Sequence, residues 1–422
     1  MDRMQYNAYL SILKKELVPA FGCTEPIAIA YACARARKEL GYFPEHITVR
    51  CSGNIIKNVK GVVVPATGGL RGVEIAAAIG AVGGDAESGL EVLHAVSEQD
   101  RQTAKKLLEQ NRCSVRLLDT PEKLHLIVEM SADGENVLVE LRGSHTGIVR
   151  IEKNGGTVFE ERQAQRDEQD ERCEFLNFDR ICEFAQTVEI DDVKELLDRQ
   201  IGYNTRIAEY GLEHLCGSGV GAMLVAVYGS EVKTMARAMP AAGSDARMSG
   251  CELPVVVNSG SGNQGMTVSL PVIVYARELG ASQEQLYRAL CVSNLSAIYQ
   301  KQQIGRLSAY CGAVSAGAGA GAGIAYLMGG SIKQIAGVVS NTLANVAGIF
   351  CDGAKASCAA KIASSVEAAQ MAIELTFRGH GFGVGEGIVQ KTPDATVEKV
   401  AVIARDGMRR TDELILQAMV GA

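Results

Sequence analysis

The stretch from Tyr310 to Lys361 constrains this chain more than any other part of it. It carries three cysteines, Cys311, Cys351 and Cys358, and the run between the first two is almost uncharged and rich in Gly, Ala and Ser. Such small residues let helix backbones approach closely, as they must where helices pack around a compact group. One distant cysteine plus two close ones can hold a metal ion or an iron–sulfur cluster with an open corner. Because free cysteine is among the most buried residue types, three small buried side chains are the alternative interpretation.

The composition indicates a globular protein. Hydrophobic residues make up 47% and charged residues 22% of the 422 residues, which suits two or three domains with sizeable cores. A net charge of −7 and the lack of a basic stripe argue against a nucleic-acid partner. The N-terminal segment is amphipathic and contains acids, unlike a secretory signal. Twelve cysteines therefore indicate reduced thiols, and we expect a cytoplasmic protein.

A membrane-spanning segment is the competing interpretation of the small-residue run. Residues 307–330 contain no charged side chain and are long enough to cross a bilayer. However, Gly and Ala insert weakly, and neither an aromatic belt nor a Lys/Arg asymmetry flanks the segment. We therefore expect a buried helical hairpin and no membrane partner.

The fold class predicted from the chain is α+β. N-terminal helices (residues 1–41) should pack on the catalytic domain. Residues 42–176 should form a mixed α/β domain with a mostly antiparallel sheet, ending in a charged, solvated connector over 155–176. Residues 177–422 should form a large all-helical catalytic domain on which the sheet domain docks. In its helical pattern we expect one interruption, a loop with a short strand over 241–266.

Several local signals refine this outline. The segment ITVRCSG alternates like a strand, and KGVVVPATGGLRG has the pattern of a strand that ends in a Gly-rich loop carrying Thr67 and Gly68. Cys23 precedes a helix in which Thr24 is the predicted N-cap, and the N–H groups and dipole of a helix N-terminus lower a thiol pKa. An ordinary buried cysteine at a helix start is the alternative for Cys23.

A second Gly-rich turn precedes a predicted helix, and it contains Ser259, Gly262, Asn263 and Gln264. Free N–H groups at such a turn can bind an anion. No lysine follows the glycines, as a phosphate loop would require, so a small carboxylate fits better. The alternative is a tight turn with no ligand.

Segments between residues 304 and 377 resemble the catalytic half of the bacterial iron–sulfur L-serine dehydratases. The similar segments are Cys311-Gly312, Leu327-Met328-Gly329-Gly330-Ser331, Phe350-Cys351-Asp352, Cys358 and Ala368-Ala369-Gln370-Met371-Ala372. The loop 258–265 is similar to the substrate loop of that family.

Other segments resemble the L-cysteine desulfidases, a branch of the same architecture. They are Gly22-Cys23-Thr24-Glu25-Pro26, Cys51-Ser52-Gly53-Asn54, Lys57-Asn58, Pro65-Ala66-Thr67-Gly68 and Cys351-Asp352-Gly353-Ala354-Lys355. Together the two resemblances cover nearly the whole chain.

The resemblance implies an oxygen-sensitive [4Fe–4S] cluster, no pyridoxal phosphate, and elimination from a small amino acid. It implies Cys311, Cys351 and Cys358 as cluster ligands, which leaves one iron without a protein ligand. Such an iron is a Lewis acid that can take the leaving sulfur of L-cysteine, and sulfide is a soft ligand that suits it. The product aminoacrylate then hydrolyses to pyruvate and ammonia.

The remaining roles follow from the chemistry of the elimination. Cys23 is either the base at the α-carbon or a ligand to the fourth iron when substrate is absent. Lys57 and His145 are further catalytic candidates. His380 and Lys355 are candidates of lower rank. The predicted carboxylate and amine binders are Ser259, Gly262, Asn263 and Gln264, with Thr67 and Gly68 closing the site from the sheet domain.

Two other functions are kept as alternatives to L-cysteine desulfidase. An L-serine dehydratase would use the same chemistry on a hydroxyl substrate. A non-catalytic sensor would keep the cluster for regulation, although a sensor needs no carboxylate-binding loop. The expected partner is a small amino acid, and a homodimer is one option for the assembly.

Overall fold

The fold is described by a computed structural model that covers residues 1–161, 176–305 and 307–420. Its helices in the first half are α1 (Arg3–Glu16), α2 (Thr24–Leu40), α3 (Gly53–Lys60), α4 (Val73–Gly83), α5 (Glu98–Glu109), α6 (Phe178–Thr187) and α7 (Ile190–Glu213). Those in the second half are α8 (Val220–Tyr228), α9 (Val232–Met248), α10 (Gly262–Glu278), α11 (Gln283–Ile304), α12 (Gly312–Leu327), α13 (Ile332–Val346), α14 (Cys358–Phe377), α15 (Pro393–Val402) and α16 (Arg409–Val420). The strands are β1 (Pro19–Phe21), β2 (His46–Cys51), β3 (Cys113–Leu117), β4 (His125–Ala132), β5 (Glu135–Arg142), β6 (Ile148–Lys153), β7 (Gly156–Glu160) and β8 (Pro254–Val256).

Six strands form one mixed sheet in the order β3-β2-β4-β5-β6-β7. The β2–β3 pair is parallel and the other neighbours are antiparallel, so the prediction of a mostly antiparallel sheet is confirmed. Helix α2 packs on β4, β5 and α4, and it buries almost its whole length there. Because its stretch 27–34 is uncharged and consists mostly of Ala and Ile, this part of the helix can be covered on several sides at once.

The N-terminal helices thus divide between the two parts of the molecule. Helix α1 contacts α7 and α11 of the helical part, whereas α2 belongs with the sheet. Strand β1, which lies between them, pairs antiparallel with β8 and so ties the chain start to the helical part. The start of α2 is held where the two parts meet.

The helical part is organised around α12, the small-residue helix. This helix packs against α10, α11, α13 and α14, and its residues from Ala313 to Ala325 are all buried. A Cβ at Gly317 would lie 2.9 Å from the Ser365 carbonyl oxygen, and one at Gly319 would lie 2.7 Å from that of Ser293. Glycine is therefore required for backbones this close. The α+β class is confirmed, with a second part that is helical except for the short strand β8.

Several sequence-based boundaries are wrong. The segment 61–70 is not a strand; within it Val63 makes a single bridge to Arg71, and α3 occupies 53–60. Residues 241–248 are not loop but the second half of α9, whose polar side chains are buried instead of solvated. The helical pattern has a further interruption at Gly229, which has φ +81° and separates α8 from α9. Strand β7 occupies part of the predicted connector, and residues 162–175 of that connector lie outside the described residues.

The length and apolar character of the helices bear on the alternative of a membrane-spanning segment over 307–330. Across the described ranges, no helix combines the length and the apolar character needed to cross a bilayer.

Candidate active site

A cavity lies where the sheet part and the helical part meet. It is lined from the sheet side by the start of α2, by α3 and by the loop after β5, and from the helical side by α9, by the start of α10 and by segments 307–313 and 351–358. Of the predicted site residues, those in its wall are Cys23, Lys57, His145, Ser259, Asn263, Gln264, Cys311, Cys351 and Cys358. Residues from opposite ends of the chain therefore converge here.

A short backbone pairing brings Cys311 and Cys351 together. Tyr310 and Phe350 form an antiparallel bridge, in which the Cys311 N–H donates to Ile349 (3.0 Å) and the Cys351 N–H donates to Ala309 (2.5 Å). Cys311 is then the N-cap of α12. The small-residue helix and the bridge together fix this thiol in the cavity wall.

Cys358 completes the group as the first residue of α14. The turn that precedes it contains Gly353, which has φ +94°, and a Cβ there would lie 2.6 Å from the Lys57 carbonyl oxygen. Glycine is thus required for the turn to approach α3. The Cys358 thiol points back toward the Gly353 carbonyl oxygen at 3.7 Å.

Burial dominates the electrostatics of these thiols. It raises the pKa of Cys311 to about 12, and the neighbouring thiols of Cys351 and Cys358 add to the shift. The pKa of Cys358 is also raised by burial, against the opposing influence of the Lys355 N–H and of Lys361. Metal ligation requires thiolates, so binding a cluster here would release protons.

The donor set is of the kind that an iron–sulfur cluster uses. Cys311, Cys351 and Cys358 form no disulfide and line one cavity, and cysteine thiolates are the usual ligands of such clusters. Among the described residues, no three His, Cys, Asp or Glu side chains lie close enough together to form a ready site for one metal ion.

Cys23 lies in the cavity wall at the N-cap of α2, but its predicted thiolate character is wrong for the free protein. Burial raises the pKa of Cys23 to about 12, and the opposing charge of Arg247 does not compensate. The side chain packs with Val62, Met248 and Ala354. Cys23 does lie at a helix N-terminus, but the apolar contacts raise its thiol pKa by more than the helix N-terminus lowers it.

A carboxylate that the sequence analysis missed lies beside His145. Glu25, in the first turn of α2, accepts a hydrogen bond from Asn58 Nδ2 (3.0 Å), and its Oε1 lies 3.8 Å from His145 Nε2. Burial alone would raise the pKa of Glu25, yet the neighbouring His145 imidazole and other groups hold that pKa below its usual range. Nε2 of His145 finds no hydrogen-bond partner among the described residues.

Lys57 is already engaged. Its ammonium forms a buried ion pair with Asp412 of α16 at 2.7 Å, and Asn54 Nδ2 donates to the other oxygen of that carboxylate at 3.2 Å. Lys57 therefore lines the cavity while its positive charge is balanced by the Asp412 carboxylate. The sequence could not reveal this, because its partner lies 355 positions away.

The predicted substrate loop reaches the cavity. Beside it lies Arg247 of α9, which the sequence analysis did not predict for the site. Asn263 and Gln264 line the cavity, whereas Gly262 lies behind them and leaves room for Arg247: a Cβ at Gly262 would lie 2.6 Å from Arg247 Nε. Arg247 was missed because its segment was predicted to be loop. The signal that could have found it is a basic residue within the small-residue run 241–248.

Two predicted groups lie elsewhere. Thr67 and Gly68 do not line the cavity; the Thr67 hydroxyl donates to Val64 O at 2.6 Å and thereby holds its own loop. His380 is exposed, and Lys355 pairs with Asp352. The loop of Thr67 thus has a local structural explanation.

The α+β fold brings three free cysteines, Cys311, Cys351 and Cys358, into the wall of one cavity. Residues 87–417 match the family described as serine dehydratase alpha chain. The chain belongs to this family, which is generally associated with iron–sulfur clusters.

Its relatives are similar over their full length. A UPF0597 protein of Lachnoclostridium phytofermentans is 55% identical over 415 residues, which cover 98% of this chain and 100% of that protein. UPF0597 proteins of Treponema denticola (47% identity, 100% and 99% covered) and Desulfitobacterium hafniense (49%, 98% and 97%) are also similar. The family match begins after Cys23 and Lys57, whereas these alignments include nearly all of the chain.

Proposed function

We propose that this protein is a [4Fe–4S]-dependent lyase that eliminates sulfide from L-cysteine and yields pyruvate, ammonia and sulfide. The observation that carries the proposal is the convergence of three free cysteines on one cavity that is also lined by the polar loop of Ser259, Asn263 and Gln264. A structural role alone would not require one space to hold three thiols together with several polar atoms that have no hydrogen-bond partner among the described residues. The reaction would take place in the cytosol, where thiols stay reduced.

Cys311, Cys351 and Cys358 would hold the cluster. When bound, a cluster with three protein ligands supplies one iron that acts as a Lewis acid toward the leaving sulfur. Lys361, which donates to Phe350 O at 3.0 Å and pairs with Asp352, places positive charge beside these thiols. Positive charge at this position favours thiolates over thiols.

His145 is the group best placed to take the α-proton. His145 lines the cavity and its Nε2 has no hydrogen-bond partner among the described residues, so a lone pair or a proton site is available there. The Glu25 carboxylate, 3.8 Å away, stabilises the imidazolium that forms. As the proton moves to Nε2, the C–H electron pair forms the Cα–Cβ double bond, and the Cβ–S bond breaks with its electron pair leaving on sulfur as hydrosulfide. Aminoacrylate leaves and hydrolyses to pyruvate and ammonia.

Cys23 has a different role in this proposal. Because it packs among apolar side chains, it is a poor proton acceptor, but it lies in the same wall as the cluster ligands. It would supply a fourth thiol when substrate is absent and give way when substrate binds.

The second candidate is an L-serine dehydratase, and the family description favours it directly. The same groups would expel hydroxide instead of sulfide. One experiment separates the two functions: the protein is reconstituted anaerobically with iron and sulfide, and pyruvate is measured from L-cysteine and L-serine side by side. A higher kcat/KM on L-cysteine supports the desulfidase, and a higher value on L-serine replaces it with the dehydratase. A stable cluster without turnover of either substrate would indicate the sensor.

A further inference from the structure

We propose that Arg247 is the carboxylate receptor of the cavity, so that the site takes small molecules with a free α-carboxylate. The inference rests on the proposed function for the identity of its natural ligand, an amino acid, but not for the existence of the binding group. It also reassigns Asn263, which was expected to touch the substrate itself. In this arrangement Asn263 is a positioning residue that orients the guanidinium.

The guanidinium of Arg247 is buried with part of its donor capacity unused. The residue is only 2% exposed. Nε donates to the Gly22 carbonyl oxygen at 3.1 Å and Nη1 donates to Asn263 Oδ1 at 3.2 Å, whereas Nη2 has no hydrogen-bond partner among the described residues. Since a guanidinium has five donors and no acceptor, an anion is the natural partner for the free edge.

No protein carboxylate in the described ranges compensates this charge by an ion pair. Asp245 lies two residues away on the same helix, but it accepts from the Ser218 and Gly221 N–H groups at 3.3 and 3.2 Å. Glu25 also lines the cavity, but its oxygens are taken by Asn58 and Thr24. An unpaired buried charge is expensive, so a site that keeps one is poised to bind the opposite charge.

The position of Arg247 suits a ligand that must also reach the thiols. Its partner Asn263 precedes Gln264, and the Gln264 side chain packs so closely on Gly312 that a Cβ there would lie 2.5 Å from Gln264 Cδ. Gly312 directly follows Cys311. Contacts therefore run without a gap from the guanidinium to the first cluster ligand, along one side of the cavity. A carboxylate at Arg247 would direct the rest of a small amino acid toward the thiols.

Lys301 and Lys57 also line this wall. Lys301 already interacts with another group of the protein, and Lys57 is a weaker candidate than Arg247 as well. Its ammonium already pairs with Asp412 at 2.7 Å, whereas Arg247 has a free edge. Arginine also matches the planar geometry of a carboxylate, which an ammonium does not.

The test uses the full chain and ligands that cannot react. L-alanine lacks a β-leaving group, and L-alaninamide lacks the carboxylate; binding of each is measured by calorimetry and by the shift in melting temperature. We expect wild type to bind L-alanine and to bind L-alaninamide about 10- to 100-fold more weakly, as for loss of a charge-assisted hydrogen bond. R247M should lose L-alanine binding by a similar factor, and R247K should recover part of it.

R237M is the matched control. Arg237 lies on the same helix α9, but it pairs with Glu367 at 2.8 Å and does not line the cavity, so its loss should leave L-alanine binding unchanged. Equal binding of L-alanine and L-alaninamide to wild type would overturn the proposal without any variant, so a folding defect in R247M cannot hide the answer. Equal binding by folded R247M would overturn it as well.

The failure of this inference and the failure of the lyase proposal are distinguishable. If L-alanine binds through Arg247 but the reconstituted enzyme turns over neither L-cysteine nor L-serine, the receptor stands and the lyase proposal falls. If turnover occurs while R247M keeps wild-type affinity and KM, the lyase stands and the receptor falls.

Discussion

The two walls of the cavity are built by different means. The thiol wall (Cys311, Cys351 and Cys358) is positioned by backbone: an antiparallel bridge and the first residues of two helices. The polar wall (Glu25, Lys57, Asn58 and His145) is positioned largely by side-chain contacts, including one to the distant Asp412. A substitution in the thiol wall should therefore change chemistry and leave the fold intact, whereas one in the polar wall should disturb its neighbours as well.

The largest expected effect concerns the thiol wall. Cys311→Ser, Cys351→Ser and Cys358→Ser should each abolish the broad visible absorption of the reconstituted cluster together with all turnover, because serine is a poor ligand for this soft site. Iron content, absorption and pyruvate yield are measured on the same anaerobic preparation.

Cys216→Ser provides the matched control, since Cys216 is a half-buried free cysteine outside the cavity wall. It should keep both the cluster and turnover. Full iron content and turnover in any of the three thiol-wall variants would remove that cysteine from the ligand set.

The next effect concerns the proposed base. His145→Gln should lower kcat by about 10²–10⁴, the range for loss of a general base, while the cluster absorption stays unchanged. Exchange of the α-proton with solvent deuterium should be lost with it. His214→Gln is the control, because His214 is exposed and stacks on Tyr210. Normal exchange in the His145 variant would assign the base elsewhere.

The next effect concerns the stability of the polar wall, which depends on the ion pair between Lys57 and the distant Asp412. Lys57→Met leaves the Asp412 carboxylate buried without its cation, and it should cost about 3–5 kcal/mol in the free energy of unfolding. The double variant with Asp412→Leu should recover much of that loss, since it removes both charges. Urea titrations of the two variants and wild type measure the coupling; additive losses would contradict a direct pair.

A smaller effect is expected at Cys23. Cys23→Ala should still assemble the cluster, because three other thiols suffice, and kcat should change less than about tenfold if His145 is the base. What should change is the visible spectrum without substrate, where the fourth thiol would be missing. Loss of iron would make Cys23 an obligatory ligand, and a drop of about 10² or more in kcat would restore it as the base.

The smallest effect concerns pH. Because the pKa of Glu25 is lowered in the folded protein, its contribution to stability is present above the unfolded value, near 4.5, and is lost as pH falls through the folded pKa. Glu25→Gln should therefore reduce the steepness with which the unfolding free energy declines below about pH 4.5, whereas Glu209→Gln, at an exposed position, should not. Parallel acid profiles for wild type and Glu25→Gln would contradict the assignment.

The three thiols of the thiol wall were singled out from the sequence by two signals. Their spacing allowed either a metal or cluster site or three buried thiols, and the resemblance to the L-serine dehydratases favoured the cluster. Cysteine spacing and the small residues around it restrict both the helix packing and the chemistry. The same reasoning failed at Cys23, where the helix N-terminus could be recognised but the contacts with Val62, Met248 and Ala354 could not. A thiol pKa depends on both, and here burial is the larger cause.

Most contacts of the polar wall could not be predicted from the sequence. The hydrogen bond between Asn58 and Glu25 and the pair between Lys57 and Asp412 join residues whose separation along the chain carries no periodic signal. Arg247 was hidden because Gly, Ser and Asp in 241–248 suggested a loop. In the structure Asp245 binds N–H groups at the start of α8, so the polar residues stabilise helix packing instead of interrupting the helix.

The close packing of α12 also determines where this protein tolerates change. With backbone oxygens of Ser365 and Ser293 within 3 Å of where new Cβ atoms would lie, the helix that carries Cys311 has no room to shift. In a saturation library, nearly every larger substitution at Gly317 and Gly319 should be depleted even under selection for folding alone. Variants with altered substrate preference should instead appear in the loop around Ser259, whose side chain borders the cavity without supporting a helix crossing.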